Sequence, residues 1–423
     1  MNDFSLFKKL RNKKYFIKNY LKNIIMKPKK FKPSKESKNI EIKDINENRK
    51  KQINNKQNII TKRNAGIDLL RIVTMLGIVY THIVFLGKAI NRYNKYKSNL
   101  IQSITYVFWH NNAFSLISGV VSNKSTKYSN LLYLWLCAVF YSVGIRFYYL
   151  KYKNIGVRGE LYQDYYPVIY GRYWYLSVYF SMFIYLPAVN KGIQYLSNPE
   201  FKLLVMSILG IFIFWSSYIN NKLDNFYMHR GDSPMCLLYL YIIGAYIKKF
   251  NIEFTGIKRC IASLLYFSIF ILLCFIYNQY FDRDYDFRGK YRTKLGNFII
   301  KLLSLNLNGV IRTFQAILIT LFFLQLNVMN KYLSKSITFF GQLTFGVYLI
   351  HMNVNVRNNY ISKLLNGETN NLTASEVIQM LIFKSIKLFL ECIIIEYLRH
   401  LLFNILKIRK ICIFIEKIIF KFC

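Results

Sequence analysis

From Gly66 to His400 the chain alternates long apolar runs with short polar breaks, a rhythm very different from the mixed faces of a soluble domain. A helix needs about 20 residues to cross about 30 Å of hydrocarbon. Ten stretches come near that length: 66–88, 103–122, 130–150, 173–190, 202–219, 234–249, 259–281, 309–329, 336–356 and 376–403. No short sequence period repeats, which excludes a solenoid. The expected fold is all-α, a polytopic membrane protein of about ten transmembrane helices.

Residues 1–65 stand apart. They hold 20 Lys+Arg and five acids and no run long enough to span. No apolar segment of signal-peptide type follows the basic start. Phe4, Phe7, Leu10, Phe16, Ile17, Tyr20, Leu21, Ile24 and Ile25 recur at helical spacing among the lysines. Two readings stay open: an amphipathic helix on an anionic inner leaflet, or a disordered basic tail. Residues 27–65, with Pro28 and Pro33, read as linker. The expected organisation is a basic tail (1–65), a ten-helix domain (66–403) and a basic interfacial tail (404–423).

Composition agrees and adds a sign. The chain is 53% apolar and 17% aromatic, yet 59 Lys+Arg against 20 Asp+Glu leave +39. A soluble domain of that charge would repel itself. Nor is a nucleic acid the expected partner, because the basic residues interrupt apolar runs instead of lining polar helix faces. The abundance of Lys, Asn, Ile, Tyr and Phe is also what an AT-rich genome produces, so two readings of the excess Lys stay open: codon bias and a specific partner. An even number of spans puts both termini on one side, and the basic N-terminus makes that side cytoplasmic. The loops oppose this: those assigned outside carry more Lys+Arg, notably 282–301 with Arg283, Arg288, Lys290, Arg292 and Lys294. The seven cysteines show no metal-type spacing and read as buried small hydrophobes, with no metal expected.

Ionisable groups inside spans are costly and mark cavities or partners. The first span, GIDLLRIVTMLGIVYTHIVFLG, holds Asp68, Arg71 and His82. Arg71 and His82 are 11 residues apart, about three turns plus 20°, so they share a face about 16 Å apart along the axis. Asp68, three residues before Arg71, can pair with the guanidinium. A structural polar seam between helices is the competing reading. The second span carries His110, Asn111, Asn112, Ser115, Ser118 and Gly119, suited to a lined cavity or to packing through small residues. Arg172, Tyr173, Trp174 and Tyr175 open the fourth span as an aromatic belt or a sugar-stacking wall. The ninth ends with His351, Asn353, Asn355 and Arg357 near the outer interface, where a lone His is more often a hydrogen bonder than a catalyst. His229 and His400 carry no assigned chemistry. GxGxxG, GxxxxGK[ST], GxSxG and HExxH are all missing.

At these residues the chain resembles acyltransferase family 3, bacterial membrane proteins that O-acylate sugars, most often with acetyl groups. The family pattern of an Arg, ten residues and a His, preceded by Ile-Asp, matches Ile67-Asp68, Arg71 and His82. Ser118-Gly119 is similar to the family's Ser-Gly element, and residues 173–190 to its fourth-span segment. LLYLYIIGAYIKKF (237–250) and TFGVYLIHMN (344–353) resemble two later landmarks. The likeness covers about residues 64–360, in the family's order. Many members carry an Arg-x-x-Arg pair after the Ser-Gly element. Here only Lys124 and Lys127 stand there, and Lys keeps the charge but not the bidentate phosphate geometry.

The resemblance implies transfer of an acyl group, by default acetyl from acetyl-CoA as co-substrate, to a hydroxyl of a cell-surface or exported polysaccharide or its lipid-linked precursor. It implies a bacterial cytoplasmic membrane, an acyl-CoA donor and a glycan acceptor. His82 is the expected general base, with a transient acyl-imidazole as the second role. Arg71 and the lysines Lys124 and Lys127 would meet the donor's phosphates, and Asp68 would orient Arg71. An extended pantetheine arm is comparable in length to the Arg71–His82 separation. His110, Asn111, Asn112, Ser118, Trp174, Tyr175 and His351 are candidate donor or acceptor contacts. Two other classes remain: a lipid-linked sugar flippase or polymerase, and a non-catalytic scaffold acting through the basic tail.

Overall fold

The computed structural model describes residues 63–108, 111–122, 127–215, 228, 231–252, 261, 265–266, 268, 310–367 and 371–422. The basic segment 1–62, nearly all of the seventh stretch (259–281), the loop 282–301, His110, Lys124 and His229 lie outside the described residues. The chain divides into Met1–Arg63 and Asn64–Cys423, and the helices described belong to the second unit.

All regular structure among the described residues is helical. The helices are α1 (Ala65–Leu86), α2 (Ala89–Arg92), α3 (Lys95–Phe108), α4 (Asn111–Val120), α5 (Tyr128–Lys151), α6 (Leu161–Tyr165), α7 (Trp174–Tyr195) and α8 (Asn198–Ser207, continued by a π-helical stretch Ile208–Trp215). They continue with α9 (Pro234–Lys249), α10 (Val310–Leu324), α11 (Lys331–His351), α12 (Val354–Asn359), α13 (Ala374–Ile405) and α14 (Ile408–Phe422).

Local sequence sets the ends. Asn64 caps α1 by accepting from the Ile67 amide (3.2 Å), and its own Nδ2 donates to the Leu324 carbonyl (2.8 Å). Ser233 caps α9, where Pro234 occupies a first-turn position that needs no amide donor. Reciprocal capping boxes start α8 (Ser197 with Glu200) and α13 (Thr373 with Glu376).

Two of the expected spans are reshaped. The second begins earlier, as α3, and is described as two helices on either side of residues 109–110. The ninth stops at His351 and turns by 66° into the short helices that follow. Asn353 causes the turn chemically, because its side chain accepts from the Asn355 amide (2.9 Å) and restarts the chain as α12. Asn353, Asn355 and Arg357 therefore do not continue the helix that carries His351. In the last tail, 408–422 is one helix packed along α5.

Contacts sort the helix ends into two groups. At one end Asn64 meets Leu324, Lys248 reaches the Ser122 carbonyl, Lys249 the Leu196 carbonyl (3.0 Å) and Arg409 meets Asn130 (3.5 Å). At the other, Arg92 meets Asn366 (2.8 Å), Lys97 reaches the Leu372 carbonyl, and the Arg158 amide donates to Asn355 (3.2 Å). Helices α1, α5 and α11 thus run from the first end to the second, and α7, α9, α10 and α13 include the chain's returns.

α1 lies at the centre, packed against α3, α4, α10, α11 and α13. α4 and α9 approach backbone to backbone. A Cβ on Gly119 would collide with the Tyr241 carbonyl oxygen, and one on Gly244 with that of Leu116. α1 and α5 are each long and apolar enough to cross a membrane, and α11 with its bent continuation forms a third candidate. On α13, Phe383, Ile386, Leu390, Ile394, Tyr397, Leu401 and Ile405 are all exposed and recur every three or four residues. They form one largely exposed apolar stripe, touched at Tyr397 by the Phe339 ring of α11 at 5.6 Å.

Candidate functional site

Two polar stations lie on α1. The first is Asp68 with Arg71, joined at 2.5 Å between Oδ1 and Nη1. Asp68 is fully buried, packed where Gly341 of α11 leaves no room for a side chain, while Arg71 keeps 22% of its side-chain surface. The carboxylate is therefore held by packing, and it fixes one edge of a guanidinium whose side chain stays partly exposed.

The second station is His82, about three turns further along. Its Nδ1 lies 3.0 Å from Nε2 of His351, with ring centroids 5.1 Å apart. His351 is fully buried, and its Nδ1 is 2.6 Å from the Val347 carbonyl oxygen one turn back on α11. A carbonyl oxygen only accepts, so His351 carries its proton on Nδ1 and presents a bare Nε2. That nitrogen can accept only if His82 donates from Nδ1. The relay Val347 C=O to His351 to His82 therefore leaves Nε2 of neutral His82 as a free lone pair. His351 is the last residue of α11, and its ring is buried within the bundle.

An aromatic wall continues from His351. Tyr348 stands edge-on to it at 6.3 Å, Tyr173 and Tyr175 lie 6.0 and 6.2 Å from Tyr348, and Tyr175 is 3.2 Å by its hydroxyl from Ser115 Oγ. Trp174 packs edge-on against Tyr175 at 5.5 Å and is only partly buried. Tyr173 and Tyr175 thus belong to the bundle interior, not to a belt around its rim.

The other candidates scatter. Asn111 and Asn112 are buried on α4, whereas Ser118 turns its hydroxyl back to the Phe114 carbonyl (2.9 Å). Lys127 is exposed just before α5, near the end of the bundle that holds Asn64. His110 and Lys124 lie outside the described residues.

Beyond His351 the groups are basic. Asp164 is buried against Arg146 (3.0 Å), Arg172 (3.5 Å) and the Ser142 hydroxyl (2.7 Å). Arg172 also holds the Gln163 side chain (2.8 Å), and the Arg158 amide ties this loop to Asn355. Arg357 follows on α12 with a buried Nε that has no hydrogen-bond partner among the described residues. Among the described residues, no group of three or more His, Cys, Asp or Glu could hold a metal ion.

Two buried polar groups escaped the sequence reading. Arg312 and Gln315 lie three residues apart on α10, and Glu396 and Arg399 three apart on α13. The signal was available in both cases, since each pair interrupts an apolar run as Asp68 and Arg71 do. Glu396 and Arg399 form an ion pair completed by Tyr141, which donates to Glu396 (2.6 Å), and by Tyr133, which accepts from Arg399 (2.7 Å).

No curated protein and no solved structure matches the chain. A family model does, over residues 64–375, from the cap of α1 to the first turn of α13. The matched region contains both α1 stations and His351, and its description is an acyltransferase domain, so the chain belongs to acyltransferase family 3.

Proposed function

We propose that this acyltransferase is a membrane-embedded O-acyltransferase. In this reading it moves an acyl group, by default acetyl from acetyl-CoA, to a hydroxyl of an exported or cell-surface polysaccharide or its lipid-linked precursor. The observation that carries the reading is the chain from the Val347 carbonyl through His351 to His82, whose consistent tautomers leave a lone pair on His82 Nε2. The exposed stripe of α13 and the apolar α1 and α5 support a bilayer setting, taken here as a bacterial cytoplasmic membrane. About ten spans with both termini cytoplasmic fit the alternation of helix ends. Residues 1–65 then face an anionic inner leaflet.

The chemistry follows from the geometry. The acceptor hydroxyl oxygen attacks the thioester carbonyl carbon while its proton passes to His82 Nε2. His82 becomes an imidazolium that still donates from Nδ1 to His351. The tetrahedral oxyanion then re-forms the carbonyl, the C–S bond breaks, and the departing sulfur takes the proton back from His82. The products are the O-acyl ester and the free thiol, and the relay returns to its starting tautomers. Arg71, pinned by Asp68 about 16 Å away along the helix, would hold the donor's phosphates, with Lys124 and Lys127 adding charge. The acceptor approaches from the end that carries Arg158, Arg172 and Arg357.

Membranes containing the full chain, incubated with acetyl-CoA labelled in the acetyl group, test this directly. Label should enter glycan as base-labile ester and fall by about 10²–10⁴ with His82→Ala at equal expression. Unchanged labelling in that variant would sink the reading. Glycan NMR then identifies the sugar and the group it carries.

A further inference from the structure

The bundle buries polar groups that have no hydrogen-bond partner among the described residues. Gln315 of α10 is fully buried, and neither its Oε1 nor its Nε2 has a partner. Thr74 of α1 is buried with an unpartnered Oγ1, and Asn111 of α4 is buried with an unpartnered Oδ1. Leaving such groups unsatisfied costs about 1–3 kcal/mol each, so three on mutually packed helices point to a ligand that completes them.

Their depth is fixed by contacts at the helix ends. Asn64 bonds the Leu324 carbonyl, and Gly66 sits against the Phe323 carbonyl, so α10 ends where α1 begins. Thr74 lies eight residues beyond Gly66 (74 − 66), and Gln315 eight before Phe323 (323 − 315). Both are therefore about 12 Å into the bundle, at one level. That level is about 4.5 Å past Arg71 and about 12 Å short of His82. α4, which carries the buried Asn111, packs against both helices. Thr74 also lies three residues from Arg71 and eight from His82, about 60–80° round the helix from the stripe that carries both.

The thioester donor proposed above must cross this level. Its arm is a chain of methylenes interrupted by amides, each with one donor and one acceptor. A glutamine side chain offers the complementary pair, and a hydroxyl and a second carbonyl oxygen extend the choice. We propose that Gln315, with Thr74 and Asn111, is a binding station for the amides of the pantetheine arm, which holds the thioester in register with His82. The station rests on the acetyl-CoA reading and adds to it a residue-level account of donor length and polarity.

The test uses the full chain in detergent with three donors: acetyl-CoA, S-acetylpantetheine and ethyl thioacetate, which has no amides. Gln315→Leu should raise KM for the two amide-bearing donors by several-fold to about tenfold relative to its effect on ethyl thioacetate. It should also raise the melting temperature of the unliganded protein, because it removes an unsatisfied buried amide. An equal change with all three donors, or none, overturns the station, and so does an unchanged selectivity alongside a raised melting temperature, which fits an ordered water at Gln315. If the wild type turns over no thioester, the acyl-CoA reading itself fails. The station is then judged by binding alone. S-acetylpantetheine should stabilise the wild type against heat and leave Gln315→Leu unmoved, and no stabilisation of the wild type removes the proposal.

Discussion

His82 and His351 meet at 3.0 Å across 269 residues of sequence, and the Val347 carbonyl sets which of the four ring nitrogens is free. The relay makes two variants of His351 behave differently. His351→Ala leaves His82 without an acceptor for its Nδ1 proton, so the tautomer with Nε2 bare is no longer enforced. His351→Gln can still accept through its side-chain oxygen. Acyl transfer should fall by about 10²-fold in the alanine variant, within the range of general-base contributions, and by less in the glutamine variant. The check is kcat with saturating acetyl-CoA. Equal losses in the two would remove the tautomer argument.

Arg71 and Asp68 are joined within one helical turn, with the carboxylate fully buried and the guanidinium 22% exposed. Arg71→Lys keeps the charge but loses the fork that Asp68 orients. It should raise KM for acetyl-CoA by about tenfold while leaving kcat within about twofold, as expected for a contact made equally in ground and transition states. Asp68→Asn should weaken the donor in the same direction but less, because the amide still accepts from Arg71. Steady-state kinetics in proteoliposomes separate the two parameters, and a fall confined to kcat would place Arg71 in the chemistry instead.

How much of this was legible beforehand depended on sequence distance. The Arg71–His82 stripe needed only helical arithmetic over 11 residues, and Asp68–Arg71 only a spacing of three. His351 could be seen as a polar residue in an apolar run, but its partner is on another helix and no local pattern points there. The turn after His351 was hidden for a related reason: Asn353 acts by capping a new helix, a backbone event that an apolar count over 336–356 passes through. Gln315 and Glu396 were missed because the stretches holding them were read for length and not for their polar positions. The all-helical fold, by contrast, follows from run length alone.

The α13 ion pair makes a stability prediction outside the region the family model covers. Glu396 and Arg399 are both nearly fully buried, and Glu396 packs where Gly346 has no side chain. Glu396→Ala leaves Arg399 uncompensated and should cost about 3–5 kcal/mol. Adding Arg399→Leu removes the stranded charge and should recover most of it. Thermal unfolding of the purified chain reads both. A double variant as unstable as the single would mean that Tyr133 and Tyr141, not the charges, hold α13 to α5.

Gly119 tests whether the close α4–α9 contact positions the interior wall or only fills space. A Cβ there collides with the Tyr241 backbone carbonyl, an atom that cannot swing aside as a side chain would. Gly119→Ala must therefore push α4 away from α9 or tilt it, at a cost of about 1–3 kcal/mol. α4 also carries Ser115, bonded to Tyr175, and Tyr175 stands against Tyr348 beside His351. Moving α4 should disturb that wall and lower acyl transfer along with stability. The paired change Gly244→Ala acts at the same seam, against the Leu116 carbonyl, but from the α9 side. Because the two substitutions strain one contact, their costs should be less than additive, which unfolding of the two singles and the double measures. Full additivity would show that the glycines pack independently.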